Sequence, residues 1–193
     1  KERGRNCIVE FDATTGEPKA LSDEGASKNN LQKKLAGLDS RFKNVFLQAV
    51  QEIVDLIEQR DHYMRDHVQK VQRYVVLISR EMGLPDALIQ RLEISAMMHD
   101  IGMLSLPDSV LLCPDTLNEE QTKAMKSHPL QAVQMMQGME FLEQEIPGVR
   151  SHHECFDGSG YPDGLAGAEI PLTARILTVA DSFDAITTQR TFR

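Results

Sequence analysis

The sequence predicts an all-α protein, and three observations point to this fold class. Apolar residues make up 41% of the 193 residues and charged residues 26%, as in ordinary packed domains. Aromatic residues contribute only 5%, whereas Met occurs 9 times, so we expect an aliphatic and methionine core rather than the aromatic and β-branched residues that favour sheets. From Leu31 onward, apolar residues recur at steps of three and four, which is the period of a helix.

Composition and charge exclude several classes of function. The formal net charge is -8 without a block of basic residues, so we expect no binding of long nucleic acid through a broad positive face. The longest apolar runs, such as 75–78, are far shorter than the roughly 20 residues of a membrane span, and no signal peptide opens the chain. Cys7, Cys113 and Cys155 are odd in number and widely spaced, which favours a reducing compartment. We therefore predict a cytoplasmic location.

The first 30 residues differ in composition from the rest of the chain. The segment 7–11 has the pattern of a single strand, and 13–30 is rich in Gly, Ser, Thr, Asp and Lys, which is typical of a linker. We predict that 1–30 is a strand followed by a linker, that 31–59 is a first amphipathic helix, and that 60–193 is a helical domain.

The predicted helix at 31–59 carries two successive apolar patterns. The first alternates steps of four and three residues, as in a coiled-coil seam, and consists of Leu31, Leu35, Leu38, Phe42 and Val45. The second is the broader stripe of a globular helix, and it consists of Phe46, Val50, Ile53 and Ile57. Two interpretations stay open: an ordinary core helix, or a signalling linker helix that pairs two copies of the chain through 31–57.

Further helices are predicted at about 62–82, 86–99, 116–126, 129–137 and 171–189. Gly83 would end the first of these in a left-handed cap, and Pro85 would open the next. Thr116 and Glu119 fit a capping box. The glycine-rich segment 157–164 cannot be helical and must form a loop.

Histidine and aspartate residues concentrate in and beside these helices. His99 directly precedes Asp100, His152 directly precedes His153, and Asp181 lies on the last predicted helix. Neutral imidazoles and carboxylates form a ligand set suited to Fe, Mn, Zn or Ni without thiolates. There are more of these groups than one ion can bind, which favours two metals that share a bridging carboxylate, an arrangement used for in-line attack on phosphorus.

Five stretches of sequence together carry a resemblance to a known family. They read RDHYMRDHVQKV around His67, HDIGML from His99, KSHPLQA around His128, HHECFDGSGYPDGLAGAEIPL from His152, and ARILTVADSFDAITTQRTFR at the end. From about Arg60 to Arg193 the chain resembles the HD-GYP domain of bacterial cyclic di-GMP phosphodiesterases. The HD pair alone would indicate only the wide HD hydrolase superfamily, whereas the HHE-to-GYP block is highly specific. The resemblance implies a helical bundle with a Gly-rich GYP loop, preceded here by a long linker helix.

The resemblance also implies the ligands of two transition metal ions, with iron or manganese expected and nickel or zinc compatible. One ion would be held by His67, His99, Asp100 and Asp181. Asp100 would bridge to the second ion, held by His128, His152 and His153. His62 matches no ligand position. Tyr63 stands where some members have a Glu that binds a third metal, so we expect two metals.

Substrate contacts are implied by the same resemblance. The residues concerned are Gly160, Tyr161, Pro162, Arg190 and Arg193. The Gly-Tyr-Pro loop would lie at the mouth of the site, where the tyrosine ring could stack on guanine and where the family is proposed to touch partner GGDEF domains; a plain structural turn is the alternative. The two arginines would pair with substrate phosphates, with solvated surface charge as the alternative.

The implied reaction is hydrolysis of cyclic di-GMP to linear pGpG, with further conversion to GMP left open. Asp100 would bridge the two metals, between which a hydroxide would attack phosphorus in line. Asp184 lies one helical turn beyond Asp181 and would support a ligand or shuttle a proton. Asp100 and Asp184 are therefore the candidate catalytic residues.

Two departures from the family pattern affect this prediction. Met103 stands where the family usually has the Lys of HDIGK, and a thioether supplies neither charge nor a hydrogen-bond donor to a phosphate. Loss of such a contact typically costs on the order of 10²–10³ in rate. The ending reads RTFR in place of RPYR, and the chain stops before the helices that usually complete the domain. Met103 therefore leaves open the alternative of a catalytically weak cyclic di-GMP receptor or GGDEF-interaction module. A third alternative is an HD-superfamily hydrolase of another nucleotide.

The opening residues carry a second, shorter resemblance. KERGRNCIVEF is similar to the last helix end and strand of a GGDEF (diguanylate cyclase) domain. This similarity implies that the chain is part of a longer protein, in which a GGDEF domain would be a partner in cis or in trans.

Overall fold

A computed structural model of the chain describes residues 10–11, 18–19, 23–60, 66–113 and 115–188. The described residues are predominantly helical, which confirms the predicted all-α class. They fall into two compact units, Lys1–Phe46 and Leu47–Arg193. No helix within the described ranges combines the length and apolar character needed to cross a membrane.

The first unit contains a short antiparallel pair of strands and most of a long helix. Strand β1 (Glu10–Phe11) pairs with β2 (Pro18–Lys19), and helix α1 (Asp23–Arg60) follows. Both β2 and the start of α1 lie inside 13–30, which the composition predicted to be a linker. The helix therefore begins before Leu31, where the apolar period of the sequence starts. The resemblance to a GGDEF domain stays a prediction, because residues 1–9 lie outside the described part of the chain.

The packing of α1 changes along its length. In the first unit, the seam residues Leu38, Phe42 and Val45 are 66%, 63% and 67% exposed. In the second unit, Val50 and Val54 are buried in the core. The boundary between the units thus falls where the apolar period changes from one pattern to the other.

The second unit is built from the end of α1 and shorter helices. These are α2 (His67–Glu81), α3 (Asp86–Met98), α4 (Asp108–Leu111), α5 (Glu119–Met125), α6 (His128–Met136), α7 (Ile146–Arg150) and α8 (Leu172–Thr187). Short 3₁₀ turns occur at Ile101–Ser105, Glu140–Leu142 and Gly167–Glu169.

The core that positions the candidate site lies between α2, α3 and α8. Its fully buried members are aliphatic and consist of Val71, Val75, Leu92, Ala96, Ile176, Leu177 and Ala180. Burial of a large aliphatic side chain stabilises a fold by about 1.5–3 kcal/mol. This packing fixes the start of α2, the end of α3 and the middle of α8, and each of these places carries a predicted metal ligand.

The helices predicted at about 86–99, 129–137 and 171–189 agree with α3, α6 and α8 to within about two residues, whereas α1 begins at Asp23 and not at 31. Gly83 has a φ of 68°, as predicted for a left-handed cap, and α3 begins directly after Pro85. The predicted capping box of Thr116 and Glu119 is wrong. Asn118 accepts from the Gln121 N–H at 2.9 Å, and the Gln121 side chain accepts from the Asn118 N–H at 3.0 Å.

The short elements were not predicted from the sequence. Helices α4 and α7 have 4 and 5 residues, and the 3₁₀ turns have between 3 and 5. Segments of this length show less than two turns, so an apolar period cannot be recognised in them. Their presence depends on packing in the folded chain rather than on local preference.

Gly102, in the 3₁₀ turn after Asp100, provides a test of this packing. A Cβ at this position would lie 2.0 Å from the His128 carbonyl oxygen and 2.6 Å from the Ala132 nitrogen, so two stretches of backbone meet there without room for a side chain. We expect Gly102→Ala to lower the free energy of unfolding by about 1–3 kcal/mol, measured by chemical denaturation.

The matched control is Gly37→Ala on α1, where a Cβ would meet nothing within 4 Å. This change should leave stability unchanged or raise it by about 0.5–1 kcal/mol, because alanine is the better helix former. Equal stability of the Gly102→Ala variant and the unsubstituted chain would contradict the close approach.

Candidate metal centre

Ends of several helices bring the predicted ligands into two adjoining groups. One group consists of His67, His99 and Asp100, and the other of Asp100, His128, His152 and His153. Within each group, one ligand atom from each residue lies within 4.8 Å of the others. The structure therefore brings together, around a single aspartate, residues that are up to 86 positions apart in sequence (from His67 to His153).

Asp100 presents one carboxylate oxygen to each group. Its Oδ2 lies 3.2 Å from Nε2 of His99 and 3.8 Å from Nε2 of His67. Its Oδ1 lies 3.2 Å from Nε2 of His128 and 3.9 Å from Nε2 of His152. This division of the two oxygens is the geometry that a carboxylate needs to bridge two cations.

Asp181 adds a second carboxylate beside the first group. It projects from α8, and its Oδ1 lies 3.4 Å from Nε2 of His67. The side chain is only 19% exposed. The four residues expected from the sequence to hold the first ion thus lie side by side.

Backbone carbonyls behind three of the histidines determine which ring nitrogen faces Asp100. The Nδ1 atoms of His99, His128 and His152 lie 2.7, 2.8 and 2.6 Å from the carbonyl oxygens of Ala96, Met125 and Val149, respectively. A carbonyl only accepts, so each Nδ1 carries the proton and each neutral ring keeps a lone pair on Nε2. These Nε2 atoms face Asp100, which is the orientation that metal-binding histidines require.

His67 is oriented by a carboxylate instead of a carbonyl. Its Nδ1 lies 2.8 Å from Oδ2 of Asp184, which is buried to 2% exposure. The other oxygen of Asp184 accepts from the Thr188 hydroxyl at 3.0 Å and lies 3.9 Å from Nζ of Lys70. Asp184 therefore lies at the nitrogen of the His67 ring that does not face Asp100, where it can hold the ring in a fixed orientation.

Several nitrogen and oxygen atoms of the centre lack a suitable hydrogen-bond partner and could instead bind a cation. Among the described residues, His99 Nε2 and Asp100 Oδ1 are buried without a hydrogen-bond partner. The Nε2 atoms of His128 and His152 are only 3.3 Å apart, although both would carry lone pairs. Unpaired buried polar atoms cost about 1–3 kcal/mol each. A cation among these nitrogen and oxygen donors would satisfy all of them, and the donor types suit first-row transition metals.

The electrostatics of the centre combine a stable anion, one imidazole whose protonation that anion favours, and two imidazoles that stay neutral. Burial opposes ionisation of Asp100, but His99 and His128 hold its pKa well below the ordinary value. Burial likewise opposes charge on His99, yet the Asp100 carboxylate raises its pKa to about 9. Burial and the neighbouring imidazoles lower the pKa of His153 to about 4 and that of His152 well below its ordinary value. The His152 and His153 side of the centre is therefore neutral and open to a metal at ordinary pH.

The glycine-rich loop beside the second group is held by Glu154. This residue is 2% exposed, and its carboxylate accepts backbone N–H bonds from Asp163, Gly164 and Leu165 at 2.7, 3.1 and 3.1 Å. At Gly160 a Cβ would lie 2.2 Å from the Cys155 nitrogen, so only glycine allows the loop to cross this backbone. The HHE and GYP motifs are thus parts of one folded unit.

Tyr161 joins this loop to the candidate ligands. Its ring stacks on His153 with centroids 4.8 Å apart and an interplanar angle of 22°, and its N–H donates to the His153 carbonyl at 3.2 Å. Burial, then the charges of Asp100 and Asp181, raise the pKa of its hydroxyl, so the group stays protonated and can donate. Nζ of Lys126 lies 5.3 Å from the ring centroid.

Other residues singled out in the sequence do not belong to the two ligand groups. Met103 lies in the 3₁₀ turn after Asp100, where its N–H donates to the Asp100 carbonyl at 2.9 Å. Arg190 and Arg193, together with His62 and Tyr63, lie outside the described residues, so their expected roles stay predictions.

Sequence reasoning missed Glu58, Glu154 and Lys126. The letter E of the HHE motif could have drawn attention to Glu154, and KSHP to Lys126. A single Glu on an amphipathic helix gives no such signal for Glu58.

Comparison with known proteins identifies the family of the chain. The sequence matches the HD domain family over residues 51–193. The chain belongs to the HD domain family. Two solved structures share its fold: the HDG"Y"P protein Bd1817 of Bdellovibrio bacteriovorus and the cyclic GMP-AMP specific phosphodiesterase V-cGAP3 of V. cholerae. Bd1817 has a TM-score of 0.60 at 21% identity, and the match covers 94% of this chain and 65% of Bd1817. V-cGAP3 has a TM-score of 0.57 at 15% identity, and the match covers 74% of this chain and 41% of V-cGAP3.

Curated relatives of this HD domain chain are phosphodiesterases by name. The response regulator RpfG of Xanthomonas campestris pv. campestris, a cyclic di-GMP phosphodiesterase, is 38% identical over 139 residues. A cyclic di-GMP phosphodiesterase of Thermotoga maritima is 35% identical over 151 residues, and the 3'3'-cGAMP-specific phosphodiesterase 3 of Vibrio cholerae is 33% identical over 156. The matches cover 71%, 77% and 81% of this chain, which spans only 37%, 41% and 33% of those proteins. These relatives support the HD-GYP type that the motifs predict.

The position of Asp100 between the two groups can be tested by metal binding. We expect Asp100→Ala to weaken Mn²⁺ binding at both groups, because both would lose a shared ligand. The loss in affinity should exceed the roughly 10–100-fold that is typical when a residue that hydrogen-bonds a metal ligand is removed. Elemental analysis after dialysis and a Mn²⁺ titration measure this effect.

Asp115→Ala provides the control, since Asp115 is exposed and lies outside both groups. Asp100→Asn keeps the side-chain shape and guards against a variant that fails to fold. Retention of two ions per chain in Asp100→Ala would disprove the shared position.

Proposed function

We propose that the chain is a metal-dependent phosphodiesterase that hydrolyses cyclic di-GMP to linear pGpG at a dinuclear centre. The observation that carries this proposal is Asp100, whose two oxygens face two separate groups of histidines at 3.2 Å. Pairs of metals about 3.5–4 Å apart serve phosphoryl chemistry in many hydrolases. The names of the relatives support a cyclic dinucleotide as the class of substrate.

The residues of the chain would mainly hold the metal ligands in a fixed orientation. Two bound transition metals, iron or manganese by preference, would neutralise charge on the scissile phosphate and lower the pKa of a nucleophilic water. Asp184 and the three backbone carbonyls hold the imidazoles in place beforehand, so the centre needs little reorganisation during the reaction. In this proposal Asp184 is a positioning residue behind His67.

The mouth of the centre would bind the dinucleotide. The protonated hydroxyl of Tyr161 can donate to a phosphate, and one face of its ring already contacts His153, so a guanine would stack on the other face. Lys126 places a positive charge over this ring, with its Nζ 5.3 Å from the centroid. Arg190 and Arg193 would add phosphate contacts, as the family resemblance implies.

A second candidate function is a receptor that binds cyclic di-GMP with little turnover. Met103 favours this alternative, because its side chain cannot supply the positive charge that a lysine at this position would offer to a substrate phosphate. Relatives that act on 3'3'-cGAMP by name make that dinucleotide the competing substrate.

The decisive experiment combines metal content with a hydrolysis assay on protein purified without oxygen. We expect two transition metals per chain and conversion of cyclic di-GMP to pGpG or GMP, faster than conversion of 3'3'-cGAMP at equal concentration. Two metals with tight binding and no product would favour the receptor. Absence of metal would contradict the proposed dinuclear centre.

Met103→Lys separates the enzyme from the receptor within the same assay. If Met103 alone limits the rate, the substitution should raise turnover by on the order of 10²–10³. Leu104→Lys is the matched control, because Leu104 lies in the same 3₁₀ turn and is 45% exposed. Equal rates for the Met103→Lys variant and the unsubstituted chain would count against the role given to Met103.

The proposal includes a homodimer formed through 31–57 of α1. The exposed seam of Leu38, Phe42 and Val45 supports it, because such a seam is typical of a coiled coil. Sedimentation equilibrium should show a dimer for the unsubstituted chain, a monomer for Phe42→Glu and a dimer for the control Leu112→Glu. A dimeric Phe42→Glu variant would contradict pairing through this seam. A GGDEF partner and a cytoplasmic location stay predictions from the sequence.

A further inference from the structure

Glu58 is a buried carboxylate that the proposed centre does not use as a ligand. It lies near the end of α1 and is 6% exposed. Its Oε1 accepts the N–H of Val68 at 2.7 Å, and its Oε2 accepts the N–H of Asp66 at 3.1 Å. The candidate ligand His67 lies between these two residues in sequence, so the carboxylate holds the backbone on both sides of it.

Helix α2 begins without a cap from its own side chains. Asp66 is the N-cap, but its side chain makes no capping hydrogen bond. Its backbone has φ 59° and ψ 12°, and it is the one non-glycine residue with positive φ in the described ranges. This conformation costs about 1–3 kcal/mol and persists only where the surroundings hold it. Two charge-assisted bonds from Glu58 supply that hold and place a negative charge at the positive end of the helix dipole.

We infer that Glu58 is a positioning residue that sets the place of His67 in the centre and couples it to α1. This inference rests on the proposed function, since it treats His67 as a metal ligand. Glu58 fixes the backbone of His67, whereas Asp184 fixes its ring. The two carboxylates together determine where Nε2 of His67 lies relative to Asp100 and Asp181.

The position of Glu58 is itself set by the packing of α1. Val50, Val54 and Glu58 follow each other at steps of four residues, so they share one face of the helix, and they are 4%, 4% and 6% exposed. A shift or rotation of the last turns of α1 would therefore lengthen the bonds to the amides of Asp66 and Val68. The second group would not follow, because its histidines stand at the start of α6 and after α7 and its aspartate, Asp100, follows α3. The first metal position thus depends on α1, and the second does not.

Four variants test this coupling. Glu58→Ala removes both acceptors, Glu58→Gln keeps the length but only one acceptor oxygen, and Glu58→Asp keeps the charge but shortens the reach by one methylene. Glu52→Ala is the matched control, since Glu52 is an exposed glutamate on the same helix. Two readouts do not depend on turnover: Mn²⁺ titration followed by electron paramagnetic resonance, and hydrogen exchange of the first-turn amides of α2.

We expect the unsubstituted chain to bind two Mn²⁺ with an exchange-coupled signal. In Glu58→Ala, the affinity for one ion should fall by roughly 10–100-fold, while the affinity for the other changes less than twofold. Amide protection at Asp66 and Val68 should fall in parallel. Glu58→Asp should resemble Glu58→Ala, Glu58→Gln should lie between it and the unsubstituted chain, and Glu52→Ala should change nothing.

The outcomes separate this inference from the proposed function. If the unsubstituted chain binds two ions and folded Glu58→Ala binds both with unchanged affinity, the inference fails and the proposed function stands. If the unsubstituted chain binds none, both fail. Should Glu58→Ala not fold, Glu58→Gln decides: a loss at one ion supports the coupling, whereas unchanged binding or an equal loss at both ions overturns it.

Discussion

The buried carboxylate of Asp100 is the interaction on which the rest of the centre depends. Its pKa stays well below the ordinary value although burial opposes the charge, so the interior holds an anion. An uncompensated buried charge costs several kcal/mol. A proton on His99, whose pKa is raised to about 9, is one compensation available to the chain. A divalent cation bound beside Asp100 would compensate the negative charge more strongly than this proton does. The same buried carboxylate therefore determines both the electrostatics of the fold and the proposed metal chemistry.

The ends of helices provide the precision that such a centre requires. His67 is the first residue of α2, and His128 is the first residue of α6. His99 directly follows α3, and His152 lies two residues after the end of α7. Last-turn carbonyls of a helix lack intrahelical partners, and the rings of His99 and His152 donate to carbonyls three residues earlier. One hydrogen bond thereby satisfies a helix end and fixes the tautomer. The aliphatic packing of α2, α3 and α8 then brings together the ends that carry His67 and His99.

Much of this arrangement could be predicted from the sequence, because its signals are local. The long helices follow from their apolar period, and the candidate ligands follow from paired His and Asp residues and from the HHE and GYP motifs. The capping box was misplaced because 116–119 and 118–121 both fit a short polar pattern, and only the folded backbone distinguishes them. The contacts of Glu58 with the start of α2 could not be predicted, because hydrogen bonds from a side chain to distant backbone amides leave no period or spacing.

Glu58 and Glu154 explain why acidic residues close to this centre need not be ligands. Each carboxylate accepts from backbone N–H groups, two at the start of α2 and three in the glycine-rich loop. A carboxylate has about four acceptor positions and no donor, whereas an amide would turn an NH₂ group toward at least one of these N–H groups. Acceptor geometry alone therefore requires glutamate at both positions. In the proposed centre the metal ligands are the residues around Asp100, and the two glutamates hold the backbone segments that flank them.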